Sequence, residues 1–413
     1  MGSRALLGRA LQRYTSDQGE RENVTDRQRD TRSGPTDLQL FARALGWGLL
    51  GVAAVGLVAA WASAERVRAQ AKKALTAIEP PRLVEPQAAR ERLQVAPLTP
   101  ELRRKGHHEC YPHDPIGLGP YAPYRNLTIG RIAIPQSGGH TDDHGYDVVV
   151  HFHGHSAVRK TLVQVARGVV FVGIDEGRGS GRYSGPFENP QLFTKLRVSI
   201  EKALRRHSGQ DRAHIRHLAL SAWSAGYGAI NEILELHADE VDAVILLDGL
   251  HAAWSRKSRR RDGTIPSLSA RNIVPTFAFA RRAAAGDKIF IWTHSQVKPH
   301  YPSTAQTADL LLHELGLTRS RVDDDPGKYG QDSTVDVRGL HIWSFRGGDQ
   351  RAHCAHIAHI ARAVRDVLEE EWDTPPMDRN VPPTPAPKPG GRPDPVEEPP
   401  MLELVAAGGV GGR

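Results

Sequence analysis

Leu218-Ala219-Leu220-Ser221-Ala222-Trp223-Ser224-Ala225-Gly226-Tyr227-Gly228 runs from a short apolar segment through a tight turn into a helical pattern. The run Leu218–Ala222 has the uniform apolarity of a strand buried on both faces. From Ala225 to His237 the apolar residues return at helical spacing. Ser224 stands at the junction, and a side chain held in so sharp a turn needs small residues two positions to either side. Ala222 and Gly226 supply them. The helix that follows presents its first backbone N–H groups toward the turn, where they favour negative charge.

The surrounding chain repeats the strand-to-helix pattern. Short apolar runs rich in β-branched residues occur at Asp147–Phe152, Gly168–Ile174, Val241–Leu247, Lys288–Trp292 and Leu340–Phe345. Helical patterns fall between or after them at Leu192–Arg205, Val274–Ala285, Ser303–Leu317 and Cys354–Trp372. Such alternation predicts βαβ units, hence an α/β fold with a mostly parallel sheet and helices on both faces. Sheets of this kind hold their sites beyond the carboxyl ends of the strands. The residues just after each apolar run are therefore the ones to inspect.

The small-x-Ser-x-Gly turn between strand and helix resembles the nucleophile elbow of the α/β-hydrolase superfamily, with Ala222 where Gly is usual. The resemblance covers about Asn126 to Trp372 and implies an α/β-hydrolase-like domain in which Ser224 is the nucleophile of a serine hydrolase. It implies a base in the loop after the last strand, and His353 stands there, with His356 and His359 read as packing residues. It also implies oxyanion donors from the amide of Ala225 and from the His153-Gly154 end of the strand Asp147–Phe152. The acid usually follows the strand Lys288–Trp292, but Thr293-His294-Ser295-Gln296-Val297-Lys298 contains no carboxylate. Asp248, after the preceding strand, is the first candidate to orient His353, and Asp349 is the second. The order Ser224, Asp248, His353 matches that of the superfamily. Trp223, His155, His251, His294 and Tyr301 are expected to line the substrate pocket.

The expected chemistry is cleavage of a carboxylic ester or amide of a small molecule through an acyl-serine, with no cofactor. Two other readings compete. The missing carboxylate after the usual strand suits a non-catalytic binding module on the same fold. The spacing His151-x-His153-x-His155 sets alternate side chains on one face of an extended segment, which suits a zinc-dependent hydrolase. The glycine-rich run Asp175–Gly185 reads as a flexible rim loop. Arg256-Lys257-Ser258-Arg259-Arg260-Arg261 reads as a solvated basic stretch where lids are inserted.

The chain's 413 residues exceed one such domain, and its ends differ from its middle. Residues 1–43 are polar without apolar periodicity and are expected to be a disordered tail. Ala44–Ala64 carries no charge, is long enough to cross a bilayer, and has Trp47 and Trp61 near its ends. It is expected to anchor the protein in the membrane with the catalytic domain outside the cytoplasm. Ala62-Ser63-Ala64 also fits a cleavage site, in which case the domain is secreted. Residues 65–125 are expected to be a helical stalk and proline-containing linker, and 373–413 a proline-rich disordered tail. A net charge of +7 without a nucleic-acid-binding motif argues against a nucleic-acid partner. The two cysteines, Cys110 and Cys354, make no framework, though they can pair in an exported domain. Nothing in the sequence sets the oligomeric state.

Overall fold

The computed structural model describes residues 99–255, 267–322 and 327–385. Among the described residues twelve strands are formed: β1 (Arg125–Asn126), β2 (Arg131–Ala133), β3 (Gly145–Phe152), β4 (Val170–Ile174), β5 (His214–Trp223), β6 (Ala243–Leu247), β7 (Ala253–Trp254), β8 (Leu268–Ser269), β9 (Ile289–His294), β10 (Ser320–Arg321), β11 (Gln331–Val337) and β12 (Leu340–Phe345). Ten of them build one sheet in the order β1-β2-β4-β3-β5-β6-β9-β12-β11-β10, and β7 and β8 pair separately. From β4 to β12 all neighbours are parallel, while β2 and β11 pair antiparallel at the flanks. All six predicted runs are strands of the parallel core.

The connecting helices are α1 (Pro100–Arg104), α2 (His155–Val165), α3 (Gly181–Phe187), α4 (Pro190–Ser208), α5 (Tyr227–His237), α6 (Val274–Ala285), α7 (Thr304–Leu315) and α8 (Gln350–Ala355). After α8 the chain continues helically to Glu371, including a π-type stretch over Ala363–Leu368. Strand alternation sorts the core into two layers, because successive side chains leave opposite faces of the sheet. Val148, Val150, Leu218, Leu220, Leu246 and Trp292 pack on one face with Leu196 and Ile200 of α4, Ile230 of α5 and Phe277 of α6. Val149, Ala219, Trp223, Ile245 and Ile291 pack on the other with Val158 and Leu162 of α2 and Ile357, Ile360 and Val364 after α8. The same alternation sends Trp223 and the helix that follows His353 to a common layer, which matters for the site.

Segments on either side of the expected 126–372 domain also pack against it. Tyr121 is fully buried and its hydroxyl donates to the carbonyl of Val169 at 2.8 Å. Asp114 takes both ends of the Arg159 guanidinium, at 2.6 and 2.9 Å. Cys110 and Cys354 form a disulfide. With a sequence separation of 244, its closure is worth about 5 kcal/mol in the chain-entropy account. At the other end Met377 is buried, its amide donates to Arg167, and Thr384 exchanges backbone bonds with Gly119 and Leu118. The packed unit thus exceeds the predicted boundaries, because proline-rich chain without periodicity can still be held by individual anchors. Two more elements escaped the pattern reading. Asp175–Gly185 ends in α3, whose Tyr183 is buried, so it is not simply a rim loop. The helix α2 hides behind the His-Gly turn.

Among the described residues no helix is long and apolar enough to cross a membrane. The segment Ala44–Ala64, the tail 1–43, the basic stretch Arg256–Arg261 and residues 386–413 lie outside the described residues.

Candidate active site

Trp223 and Leu247 are register partners at the carboxyl ends of the adjacent parallel strands β5 and β6. The next residue on each strand is Ser224 and Asp248. Both turn sharply there, with φ of 48° and 46°, a region that residues with side chains seldom occupy. Crowding explains why the neighbours must be small. A Cβ on Gly226 would collide with the carbonyl oxygen of Phe152, and one on Gly249 would come 2.5 Å from that of Ser224. The Asp248-Gly249 turn therefore lies directly against the backbone of Ser224.

Asp248 is 2% exposed and every oxygen is used. Oδ2 accepts from Nδ1 of His353 at 2.7 Å and from the hydroxyl of Ser295 at 2.7 Å. Oδ1 accepts from the Ser295 amide and from the hydroxyl of Thr304, both at 2.8 Å. Burial opposes the carboxylate charge, yet the imidazoles of His356 and His353 and the Ser295 amide outweigh it and hold the carboxyl well below its ordinary value. The loop after β9, which lacks a carboxylate, instead donates two hydrogen bonds to one from the neighbouring strand. The gap that favoured a binding module is thereby accounted for. Asp349 does other work: it caps α8 through the Ala352 amide at 2.8 Å and pairs with Lys328 at 3.0 Å. Because the Asp248 bond takes the Nδ1 proton of His353, Nε2 is left as the basic nitrogen.

The expected oxyanion donors need correction on one side. The amide of His153 donates to the carbonyl of Ile174 at 3.0 Å, and that of Gly154 to Asp175 Oδ1 at 2.6 Å. Both N–H groups are spent on fixing the turn between β3 and α2, so neither serves as expected. The Ala225 amide keeps its place at the start of the elbow helix.

The three histidines at and just after the end of β3 do not converge. His151 donates from Nε2 to the carbonyl of His153 at 2.8 Å and accepts from Ser221 at 2.9 Å. His153 contacts the Tyr183 hydroxyl at 2.8 Å, and His155 pairs with Asp175. Each ring thus serves a different partner, and among the described residues no group of three or more His, Cys, Asp or Glu is placed to hold a metal ion. The zinc reading falls on this divergence. Positive φ at His153, 70°, breaks the alternation on which that reading relied.

Of the residues expected to line the pocket, His251 and Tyr301 stand together. His251 donates to the carbonyl of Pro302 at 2.9 Å, with Tyr301 at 4.7 Å and Tyr227, three residues past Ser224, at 5.6 Å between ring centroids. Burial lowers the His251 pKa to about 4, so it is neutral at pH 7. Tyr301 is 40% exposed and forms the open edge of this aromatic wall. The other three are placed differently. His155 is buried beneath Gly173 in its pair with Asp175. Trp223 is 3% exposed and stacked with the rings of His153 and His353. His294 borders a cavity of about 790 Å³ with Gln296, Asp309, Arg319, Ser344 and Arg346. Ser295, Thr304 and Tyr183 support the site and were not foreseen, since a lone hydroxyl in a loop or helix start carries no distinguishing pattern.

No protein-family model matches the chain, and no curated protein matches it. Solved structures that superpose on it include Est1E from Butyrivibrio proteoclasticus, at 12% identity and a TM-score of 0.31 over 62% of this chain and all of that one. Thermogutta terrifontis esterase 2, phosphonylated by cyclosarin, gives 14% and 0.33 over 63% of this chain and 96% of its own. The enterobactin esterase FES from Shigella flexneri gives 11% and 0.37 over 62% of each chain. At these scores the superpositions carry no weight of their own. The α/β-hydrolase-like fold is instead read from the strand order, the parallel core and the strand-to-helix turn at Ser224.

Proposed function

We propose that this α/β-hydrolase-fold chain is a serine hydrolase that cleaves a carboxylic ester or amide of a small molecule through an acyl-Ser224 intermediate. The observation that carries the proposal is the 2.7 Å bond from His353 Nδ1 to the buried Asp248, which sits on the turn packed against Ser224. In the first half-reaction Ser224 Oγ attacks the carbonyl carbon as its proton passes to His353 Nε2. The carbonyl oxygen takes the negative charge, next to the Ala225 amide. When the tetrahedral centre collapses, the bond to the leaving alcohol or amine breaks and the His353 proton goes to that group. Water then repeats the sequence on the acyl-enzyme, giving up one proton to His353, and the acid departs as Ser224 recovers its proton. Asp248 stays ionised throughout and stabilises the imidazolium.

The direct measurement is covalent labelling of the full chain by a fluorophosphonate. Wild type is expected to label at Ser224 and to hydrolyse p-nitrophenyl acetate, and Ser224→Ala to do neither. Equal labelling of the two proteins, or hydrolysis unaffected by the substitution, would remove the proposal.

We place the enzyme on the outer side of a membrane, tethered through Ala44–Ala64. The uncharged length of that segment and the Cys110–Cys354 disulfide support this, since disulfides persist in oxidising compartments. In intact cells the domain is expected in the membrane fraction, oxidised and open to added protease. Recovery in the soluble cytosolic fraction with both thiols reduced would rule the placement out.

A further inference from the structure

Trp223 stacks with two imidazoles. His153 lies against the indole with centroids 5.2 Å apart and planes within 10°, and His353 with centroids 5.0 Å apart and planes at 29°. The indole N–H also donates to the backbone carbonyl of His353 at 3.2 Å. This buried side chain therefore touches the proposed base at two points, its ring and its main chain.

Resting on the serine-hydrolase reading, we infer that Trp223 is a positioning residue for His353 and does not bind substrate. A hydrogen bond to Asp248 does not by itself fix the plane of an imidazole. A flat indole against its face fixes that plane, and the N–H holds the backbone from which the ring pivots. The position of Nε2 is then set to a fraction of an ångström, the scale on which proton transfer is lost or kept. The indole face also attracts the imidazolium that forms when Ser224 gives up its proton.

The other imidazole, His153, is fixed in turn. The Tyr183 hydroxyl donates its only proton to the carbonyl of Gly177 at 3.0 Å and accepts from the Glu176 amide at 3.2 Å. His153 Nδ1 must therefore be the donor in its 2.8 Å bond to that hydroxyl. The His153 ring is thus held against Trp223 by a tyrosine of α3. Asp248 gives His353 a charged partner, while His251 and His356 are kept neutral by burial, with pKa values lowered to about 4. The imidazolium thus meets a counter-ion in Asp248 and a π face in Trp223.

The test uses the full chain, p-nitrophenyl acetate as probe, and active sites counted by fluorophosphonate. Trp223→Leu is expected to lower kcat per active site about 100-fold with KM changed less than about threefold. The acidic limb of the kcat profile should move to lower pH by about half a unit, as the protonated ring loses its π face. Trp223→Phe keeps a ring without the N–H, and should fall about three- to tenfold below wild type with the limb unmoved. If the leucine variant does not fold, Trp223→Met replaces it. Wild-type kcat per titrated site in the variant lacking a ring would overturn the inference while leaving the hydrolase reading intact. So would a loss that tracks only the fraction of folded protein with an unmoved limb, and so would Trp223→Phe acting within twofold of wild type at a site that no ring-free variant can fold. A wild type that neither labels nor hydrolyses overturns the hydrolase reading, and this inference with it.

Discussion

Asp248→Asn is expected to lower kcat against an ester about 10⁴-fold while leaving the fold in place. The size of the effect follows from the hydrogen bonds around the side chain. Oδ1 already accepts from the Ser295 amide and the Thr304 hydroxyl, so an asparagine would keep its carbonyl oxygen there. Its NH₂ would then replace the oxygen that faces His353 Nδ1. An amide donor at that place requires Nδ1 to accept, which moves the ring proton to Nε2. A ring protonated there cannot take the proton of Ser224, and the nucleophile is left unactivated. KM is expected to change little, because Asp248 is buried beneath the turn and does not meet substrate. Asp349→Asn is the control. Asparagine caps a helix about as well as aspartate, and the Lys328 pair is exposed, so kcat should stay within about twofold. Steady-state rates on circular-dichroism-matched protein decide the matter. A Asp248→Asn variant retaining a tenth of wild-type activity, or an Asp349→Asn variant that loses it, would assign the acid elsewhere.

The assignment of Asp248 also shows what a single sequence can and cannot disclose. Its place after β6 was visible, because a carboxylate following an apolar run at the carboxyl edge of a parallel sheet has few other reasons to be there. Its bond to His353 was not, since that depends on β6 and β9 lying side by side and on Ser295 and Thr304 filling its other lone pairs. The strand runs and the elbow were legible because burial on both faces imposes uniform apolarity and the turn imposes small residues. The amides of His153 and Gly154 were misjudged for the opposite reason. Whether an N–H is free depends on Ile174 and on Asp175, each 21 residues beyond the amide it engages, and backbone partners leave no mark in side-chain order. Trp223, expected to line the substrate pocket, lies elsewhere. The alternation of β5 in fact turns it into the layer shared with the helix after His353.

Acidification is expected to unfold the domain between about pH 6 and pH 4, well above the range in which carboxylates alone act. Burial lowers the pKa of His151 to about 3 and of His251, His294 and His356 to about 4. In the unfolded chain each returns to about 6.5. The folded state therefore binds these protons less readily than the unfolded state. Stability from the four is fully present above pH 6.5 and is lost as pH falls toward their folded values. Each contributes about 3 kcal/mol or somewhat more, and together they reach the order of 10 kcal/mol, comparable with the whole stability of a domain. Asp175, whose pKa falls to about 2, and Asp248 act in the same direction but only below about pH 4. Glu369, Glu176 and Glu232 work the other way, since burial raises their pKa values and their folded forms gain on protonation, while His359, which burial holds well below its ordinary value, adds to the histidines. Mid-transition the four histidines should give a slope approaching 5 kcal/mol per pH unit, one increment of about 1.4 per proton taken up. Urea midpoints measured from pH 7.5 to 4.5 read that slope directly. His151→Gln, which can keep a bond to Ser221 or to the His153 carbonyl, should reduce the slope by one such increment. A midpoint that stays level across this interval would mean that water reaches these rings in the native protein and that their burial does not set its acid limit.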